Sequence, residues 1–488
     1  MTDLQKKSHE NQQTVKREAC QYILSEREDI VIIGPAGHGK SHVCGQIVES
    51  VAKPDDKILV CALAHEALGV AKNFLGNFKY EYSAETIAAA LQCRPVTNED
   101  GVTDFVPVPK YTYSKKGKRT LVKPPLALAK YIIIDECSQV SHRQLMIIEK
   151  IRRADSIIIF VGDICQLPPI ERKNGELFSP VFKLKTFELL YPYRYGGEIS
   201  EIGKLFRTEI YKGLEGKEFD PLIWKQLENQ KLKHLRITYD KYQFAEEMIE
   251  EFKKNPLGCK FISYTQYSYK EAGRYIRSKL NPQPFHFEPG DFVVSKTNYY
   301  ENNILKLNNG ELGEIRGKRK MRFAIVWITN LKGVWQFQDM AVKYNSKANL
   351  RLLYSETLNI DVSKIKVEEL EYWCHDINEK TFIPTSVVDN KRFKEILNYL
   401  SDHDSLHALS PYEKFWDAKN ALIDFFCEIQ YTYGGTSHTS QGKSYDTVFP
   451  SFKDIFSVKN QHTSQLERLQ SAYVAVTRAR NKILCLAE

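Results

Sequence analysis

Ile30-Val31-Ile32-Ile33-Gly34-Pro35-Ala36-Gly37-His38-Gly39-Lys40-Ser41 is the stretch on which the fold turns. A β-branched run of this kind is a buried strand, and it ends in G-x-x-x-x-G-K-S. The following residues, through Val43, Ile47 and Val48, have the spacing of a helix. Strand, glycine loop and helix start together make a phosphate cradle. Gly34, Gly37 and Gly39 let the backbone curl until its N–H groups point inward, and the helix N-terminus adds partial positive charge. Lys40 is placed to reach β- and γ-phosphates, and the Ser41 hydroxyl to hold Mg²⁺. A cradle of this type binds a nucleoside triphosphate. What the binding drives must be read from the rest of the chain.

Two further buried-strand signals end in polar residues. Tyr131-Ile132-Ile133-Ile134 carries Asp135 and Glu136 at its tip, and Ser156-Ile157-Ile158-Ile159-Phe160-Val161 runs into Gly162-Asp163-Ile164-Cys165-Gln166-Leu167-Pro168-Pro169. In a parallel sheet such tips gather at the ligand edge. There Asp135 would hold the metal, Glu136 would polarise the attacking water, and Gln166 would touch the γ-phosphate. A fourth strand, Lys57-Ile58-Leu59-Val60-Cys61-Ala62, leads to His65 at the same edge. A lone His is more often structural than a ligand contact. Thr86, opening a helical run at 87–91, is a helix cap first and a phosphate contact second. Upstream, Gln12 and Gln13 stand ahead of a helix-like segment at 15–25, and one Gln amide can both donate to and accept from an adenine edge.

The bulk numbers set outer bounds. A chain of 488 residues, 42% hydrophobic and 27% charged, is of ordinary globular composition and long enough for about three or four domains. No stretch reaches the ~18 uninterrupted apolar residues of a membrane span, and residues 1–7 lack the apolar core of a secretory signal. Ten Cys without a C-x-x-C pair suit reduced thiols in a cytosol rather than a zinc site. A net charge of +8 permits a polyanionic partner without requiring one.

Residues 93–124 interrupt the strand–helix rhythm. Asp100-Gly101 between alternating flanks predicts a β-hairpin over 96–106, with Phe105 on it, and Lys115-Lys116-Gly117-Lys118-Arg119 follows as a basic loop. Tyr193-Arg194-Tyr195 is either a surface cation–π cluster or an Arg and a stacking ring reaching a nucleotide. A second α/β half begins near a strand at 259–265 and a helix at 270–280. Between 282 and 426 the pattern predicts a small β-rich insertion, with strands at 292–295 and 323–328, then helices. Trp373 and Trp416 are read there as core residues. Gly435-Thr436-Ser437-His438-Thr439-Ser440-Gln441-Gly442-Lys443-Ser444 has the hydroxyls, His and glycines that suit a phosphate backbone. Tyr473-Val474-Ala475-Val476-Thr477-Arg478-Ala479-Arg480 reads as one helix with Arg478 and Arg480 aimed into a cleft.

Taken in order, these stretches resemble superfamily 1 helicases, and among them the RecD-like, Dda-like branch (SF1B). The series carries the likeness: G-x-x-x-x-G-K-S, Asp135-Glu136, Gly162-Asp163-x-x-Gln166-x-Pro168, Tyr193-Arg194, His438-x-x-Gln441-Gly442 and Val476-Thr477-Arg478. It implies an α/β fold of two RecA-like P-loop domains, at 1–92 with 125–188 and at 189–281 with 427–488. A β-hairpin pin insertion at 93–124 and an SH3-like insertion at 282–426 would complete it. ATP with Mg²⁺ would bind between the two domains. Gln12 would read the adenine, Tyr193 would stack on it, Gln166 would sense the γ-phosphate, and Arg194 and Arg478 would be arginine fingers from the second domain. His65, Thr86, Thr436 and His438 would contact the DNA strand, with Phe105 as the wedge at the fork.

The activity implied is ATP-dependent, 5′→3′ DNA unwinding on single-stranded and fork DNA, by a monomer in the cytoplasm, or the host cytoplasm for a viral protein. Replication or single-strand-binding proteins are further implied partners. The motifs hardly separate DNA from RNA, and a protein-stripping translocase or a non-hydrolysing nucleotide-gated subunit are the rival classes. Three positions depart from the family pattern. His38 stands within the phosphate loop, Leu63-Ala64 stand before His65 in place of Pro-Thr, and Thr439 stands where Lys is common.

Overall fold

Apolar runs such as Ile30–Ile33, Tyr131–Ile134 and Ile157–Gly162 suit strands buried on both faces of a parallel sheet covered by helices, and that is how they are used. The computed structural model describes residues 3–35, 37–62, 79–97, 103–107, 111–113, 119–169, 177–191, 198–228, 232–282, 287–301, 304–342, 346–402, 422–457 and 464–487. The chain forms two compact units, residues 1–280 with 433–488, and residues 281–432.

The first unit holds two parallel sheets. The first sheet has six strands in the order Lys185–Glu188, Ile30–Ile33, Ile157–Gly162, Tyr131–Ile134, Ile58–Ala62 and Tyr82–Thr86, every pair parallel. Alternate side chains feed opposite faces, as the strand period of two requires. Ile30, Ile32, Ile58 and Val60 pack with Val43 and Ile47 of the helix Lys40–Val51 and with Val15, Ala19 and Ile23 of the helix Asp3–Glu26. Val31, Ile33, Leu59 and Cys61 pack on the other side with Ile132, Ile148 and Phe160. The second sheet runs Leu235–Thr238, Ala479–Leu486, Tyr445–Pro450, Cys259–Ser263 and Gly434–Thr436, again all parallel. Its core joins Ile262, Val448 and Ile483 to the helices Glu198–Leu214 and Gln465–Thr477. These are the two α/β halves read from the sequence. A hairpin pairs Cys93–Thr97 with Thr103–Pro107, setting Pro95 opposite Phe105 in the backbone register.

The second unit is built on an antiparallel sheet in the order Phe382–Val387, Ile365–Ile377, Leu312–Thr329, Phe292–Ser295 and Ile429–Tyr431, with Trp335–Ala341 paired to Leu312–Thr329. The helices Lys347–Leu358 and Asn390–Asp402 accompany it. No helix among the described residues is long and apolar enough to cross a membrane.

Three sequence expectations are corrected. The first helix starts at Asp3, not near residue 15, so Gln12 lies within it. Its inward stripe is Ser8, Gln12, Val15, Ala19 and Ile23. The spacing is helical, but its first two members are polar, so a search for apolar periodicity stops short. The last helix ends at Thr477, and Arg480 lies on the strand Ala479–Leu486 with its side chain half exposed, 3.8 Å from Asp446. Trp373 is half-buried on the strand Ile365–Ile377 rather than in a core, with the ammonium groups of Lys318 and Lys320 each 5.2 Å from its ring. Trp416 lies outside the described residues.

Candidate active site

Two glycines let the phosphate loop turn as it does. Gly37 and Gly39 have φ of 79° and 81°, the left-handed region that costs a side-chain-bearing residue energy. A Cβ on Gly39 would also lie 2.7 Å from Gln12 Nε2. Gln12 is 4% exposed, and its Nε2 donates to the His38 carbonyl oxygen at 3.1 Å. The first helix is tied to the same edge by Ser8, whose hydroxyl donates to Tyr191 O at 3.1 Å, and by Asn11, which accepts from Leu190 N at 2.8 Å.

Gly39 is the N-cap of the helix Lys40–Val51, and no side chain caps that end. Its first N–H groups are therefore offered to an anion rather than to the protein. Lys40 Nζ donates to Gly34 O at 2.8 Å and Pro35 O at 3.0 Å. An ammonium has three donors, so the loop's own carbonyls fix its direction and leave it capacity for a ligand.

The acidic pair is set at the end of the strand Tyr131–Ile134. Asp135 N continues the ladder to Cys61 O at 2.9 Å, and Asp135 Oδ1 accepts from Glu136 N at 2.8 Å. Glu136 has φ 54° and ψ 42°, a left-handed conformation that is rare for a residue with a side chain. Burial pushes the Asp135 carboxyl up, against the pull of Lys40 and the Glu136 N–H. Burial and the Asp135 charge push Glu136 up to about 7, with Arg478 and Lys40 pulling it back.

These groups line a cavity of about 420 Å³ whose walls come from both parallel sheets. Gln12, Lys40, Ser41, Asp135, Glu136 and Gln166 lie on one side, and Gly203, Lys443, Thr477 and Arg478 on the other. Arg478 is 3% exposed and is aimed by its own helix end. Its Nε donates to Val474 O at 3.2 Å, Nη1 to Lys443 O at 3.3 Å and Nη2 to the Thr477 hydroxyl at 3.3 Å. No group of three His, Cys, Asp or Glu side chains that could hold a metal ion is present among the described residues. The Ser41 hydroxyl and Asp135 carboxylate are hard oxygen donors of the kind Mg²⁺ takes in ones and twos, filling its shell with phosphate and water.

The structure thus brings Gln12, Gly37, Gly39, Lys40, Ser41, Asp135, Glu136, Gln166 and Arg478 to one cavity. Gly34 packs beside the loop against Leu189, whose carbonyl oxygen a Cβ there would meet at 3.0 Å. Tyr193, Arg194 and His65 lie outside the described residues, and so does the side chain of Phe105. Thr86 is 9% exposed and caps the helix Ile87–Ala90, accepting from Ala89 N at 3.2 Å. Thr436 is buried and closes a ring with Thr439. Each backbone N–H of the pair meets the other's hydroxyl, at 3.0 and 3.2 Å. Thr439 is exposed as a residue, but its hydroxyl also donates back to Thr436 O at 3.1 Å, and His438 stands half-buried, edge-on to Tyr264 at 6.4 Å.

Arg207 escaped the sequence reading. It is buried beside the cavity, paired with Asp163 and hydrogen-bonded to Tyr473 at 3.4 Å. The signal was present. Ile199, Ile202, Gly203, Phe206 and Ile210 make an apolar helical stripe, and Arg207 falls on it at the spacing of a buried residue.

Residues 10–195 match the family described as an AAA domain. The chain is 22% identical to an uncharacterized protein of Acanthamoeba polyphaga mimivirus, covering 97% of this chain and 98% of that one. It is 21% identical to the ATP-dependent DNA helicase dda of Enterobacteria phage T4, covering 94% of each. Solved structures with similarity include Pif1 helicase from Bacteroides in complex with ADP-AlF3 and ssDNA, at 15% identity and TM-score 0.45, covering 96% of this chain and 91% of that one. Pif1 helicase from Candida albicans matches at 13% identity and TM-score 0.41, covering 97% and 94%.

Proposed function

We infer that this chain is a superfamily 1 helicase of the Dda-like branch, an enzyme that spends ATP to unwind nucleic acid. One observation carries the reading. Lys40, Ser41, Asp135 and Glu136 from the first sheet and Arg478 from the second line the same cavity. A nucleotide held there touches both lobes, so its hydrolysis and release are linked to their relative position.

In this mechanism the phosphate loop and the helix start at Lys40 hold the β- and γ-phosphates. Ser41 and Asp135 would hold Mg²⁺, whose charge would offset that of the phosphates. Glu136, its carboxylate aimed by the left-handed backbone, takes a proton from the attacking water. Gln166 reads the γ-phosphate. Arg478 places positive charge on the transferring phosphoryl group, and Arg194 is the second such group. Arginines in this role are worth about 10³–10⁵ in rate. Gln12, from the first helix, braces the loop at His38 and lies beside the adenine site, where Tyr193 stacks.

The substrate reading is single-stranded and fork DNA, tracked 5′→3′ by a monomer. His65, Thr86, Thr436 and His438 form the strand path, and the hairpin bearing Phe105 is the pin that parts the duplex. Splitting a base step costs only a few kcal/mol, within reach of one ATP. The test is unwinding of fork substrates carrying either a 5′ or a 3′ single-stranded tail, with ATP turnover measured alongside. Unwinding confined to the 5′-tailed fork, with turnover stimulated by single-stranded DNA, is the expected result. Stimulation by RNA alone overturns the DNA reading, and turnover indifferent to any nucleic acid overturns the motor.

A further inference from the structure

The loop after the strand Ile157–Gly162 belongs to the first sheet by sequence, yet the second lobe holds it. Cys165 is fully buried in the apolar core of the second sheet with Phe206, Leu469 and Tyr473, and Ile164 packs on the same core. Asp163, fully buried, is ion-paired through Oδ1 with Arg207 Nη1 and accepts the Tyr473 hydroxyl on Oδ2 at 2.7 Å. Arg207 Nη2 reaches Glu188 Oε1 at 3.4 Å and the Tyr211 hydroxyl at 3.2 Å. Glu188 ends the first-sheet strand Lys185–Glu188, while Arg207, Tyr211 and Tyr473 come from the second-lobe helices Glu198–Leu214 and Gln465–Thr477. Three residues beyond Asp163, Gln166 meets the second lobe through a neutral amide contact, Gln441 Nε2 to Gln166 Oε1 at 3.4 Å.

The two links differ in strength. Separating a guanidinium from a carboxylate inside a dry core strands both charges, so the Asp163–Arg207 pair resists opening. A long amide–amide contact is weak and is readily exchanged for a phosphate oxygen. We propose that Arg207 and Tyr473 are positioning residues that fasten the Asp163–Gln166 loop to the second lobe, so that Gln166 is presented to the γ-phosphate according to where that lobe stands. The proposal rests on the reading of the chain as a nucleic-acid-stimulated ATPase. Arg207 is the fixed pivot, and the Gln166–Gln441 contact is the part that changes during turnover. Nucleic acid bound to the second lobe then alters hydrolysis in the first through this loop.

The test uses the full chain with Arg207→Lys and Tyr473→Phe. Lysine keeps the charge but is a point donor and cannot span Asp163 and Glu188 as the fork does. Phenylalanine removes one hydroxyl and leaves the ion pair, so that variant folds even where the first does not. ATP turnover is measured across ATP concentrations with and without saturating oligo-dT, together with the dissociation constant of a fluorescent ATP analogue and the melting temperature. The DNA-stimulated kcat is expected to fall about tenfold or more in Arg207→Lys and about threefold in Tyr473→Phe, while KM and the dissociation constant stay within about threefold. Lowered melting temperature with the wild-type stimulation ratio shows a merely structural role and overturns the proposal. A wild-type chain that DNA does not stimulate overturns the functional reading itself, and the proposal with it.

Discussion

Gly39 bears two constraints at once, a φ of 81° and a gap of 2.7 Å between any Cβ and Gln12 Nε2. The left-handed conformation alone costs alanine about 1–2 kcal/mol. Relief moves the Gln12 amide that bonds His38 O, which disturbs the loop that must cradle the phosphates. Gly39→Ala is therefore expected to weaken nucleotide binding about tenfold or more, read by titration with a fluorescent ATP analogue. Wild-type affinity in that variant would contradict the packing account. At this scale the gathering of Lys40, Ser41, Asp135, Glu136 and Gln166 at one cavity could be read from the sequence, because each sits in a short motif at a strand end or helix start. Arg207 was not read, since its meaning depends on Asp163 and Tyr473, 44 and 266 positions away along the chain.

Among the elements, the loop after Ile157–Gly162 has the clearest energetic signature. Burial pushes the Asp163 carboxyl up, but Arg207, Lys40 and the Tyr473 hydroxyl together hold it below the usual carboxylate range. A depressed folded value means stability that is fully present above the ordinary carboxylate value of about 3.9 and is lost as pH falls through the folded value. Asp163→Asn leaves the buried Arg207 without its charge partner, a change that costs about 3–5 kcal/mol in comparable buried pairs. Thermal melts at a series of pH values should show the variant less stable near neutrality, and the gap to wild type closing in acid. A gap that stays constant to low pH would contradict the ion pair's contribution.

Element boundaries were the least legible part. The helix Asp3–Glu26 begins a dozen residues earlier than apolar spacing shows because Ser8 and Gln12 occupy its inward face. The helix Gln465–Thr477 ends where Arg478 turns back on Val474 O, so Arg480 is carried off on a strand, where sequence spacing alone had kept both arginines on one helix.

On the scale of the whole molecule, the two parallel sheets were readable from the buried-strand runs. The antiparallel unit at 281–432 was read only coarsely. Its long strand Leu312–Thr329 begins with charged residues whose partners lie on Ile365–Ile377, a pairing invisible in local sequence. Trp373 shows the same difficulty, since Lys318 and Lys320 from the neighbouring strand give it a setting that composition could not supply. The pin reading makes a separable prediction. Phe105→Ala should lower the fork-unwinding rate about tenfold while DNA-stimulated ATP turnover stays within about twofold, because parting bases and hydrolysing ATP use different parts of the chain. Equal loss of both in paired unwinding and turnover assays would contradict it.

The central claim is that one nucleotide is worked from two sides, by the loop and carboxylates of the first sheet and by a guanidinium of the second. ATP turnover by Arg478→Lys at saturating ATP and single-stranded DNA, with nucleotide affinity measured on the same sample, tests it most directly. The account predicts a kcat about 10³-fold lower or worse with nucleotide affinity within about threefold of wild type. A kcat within about tenfold of wild type would contradict it.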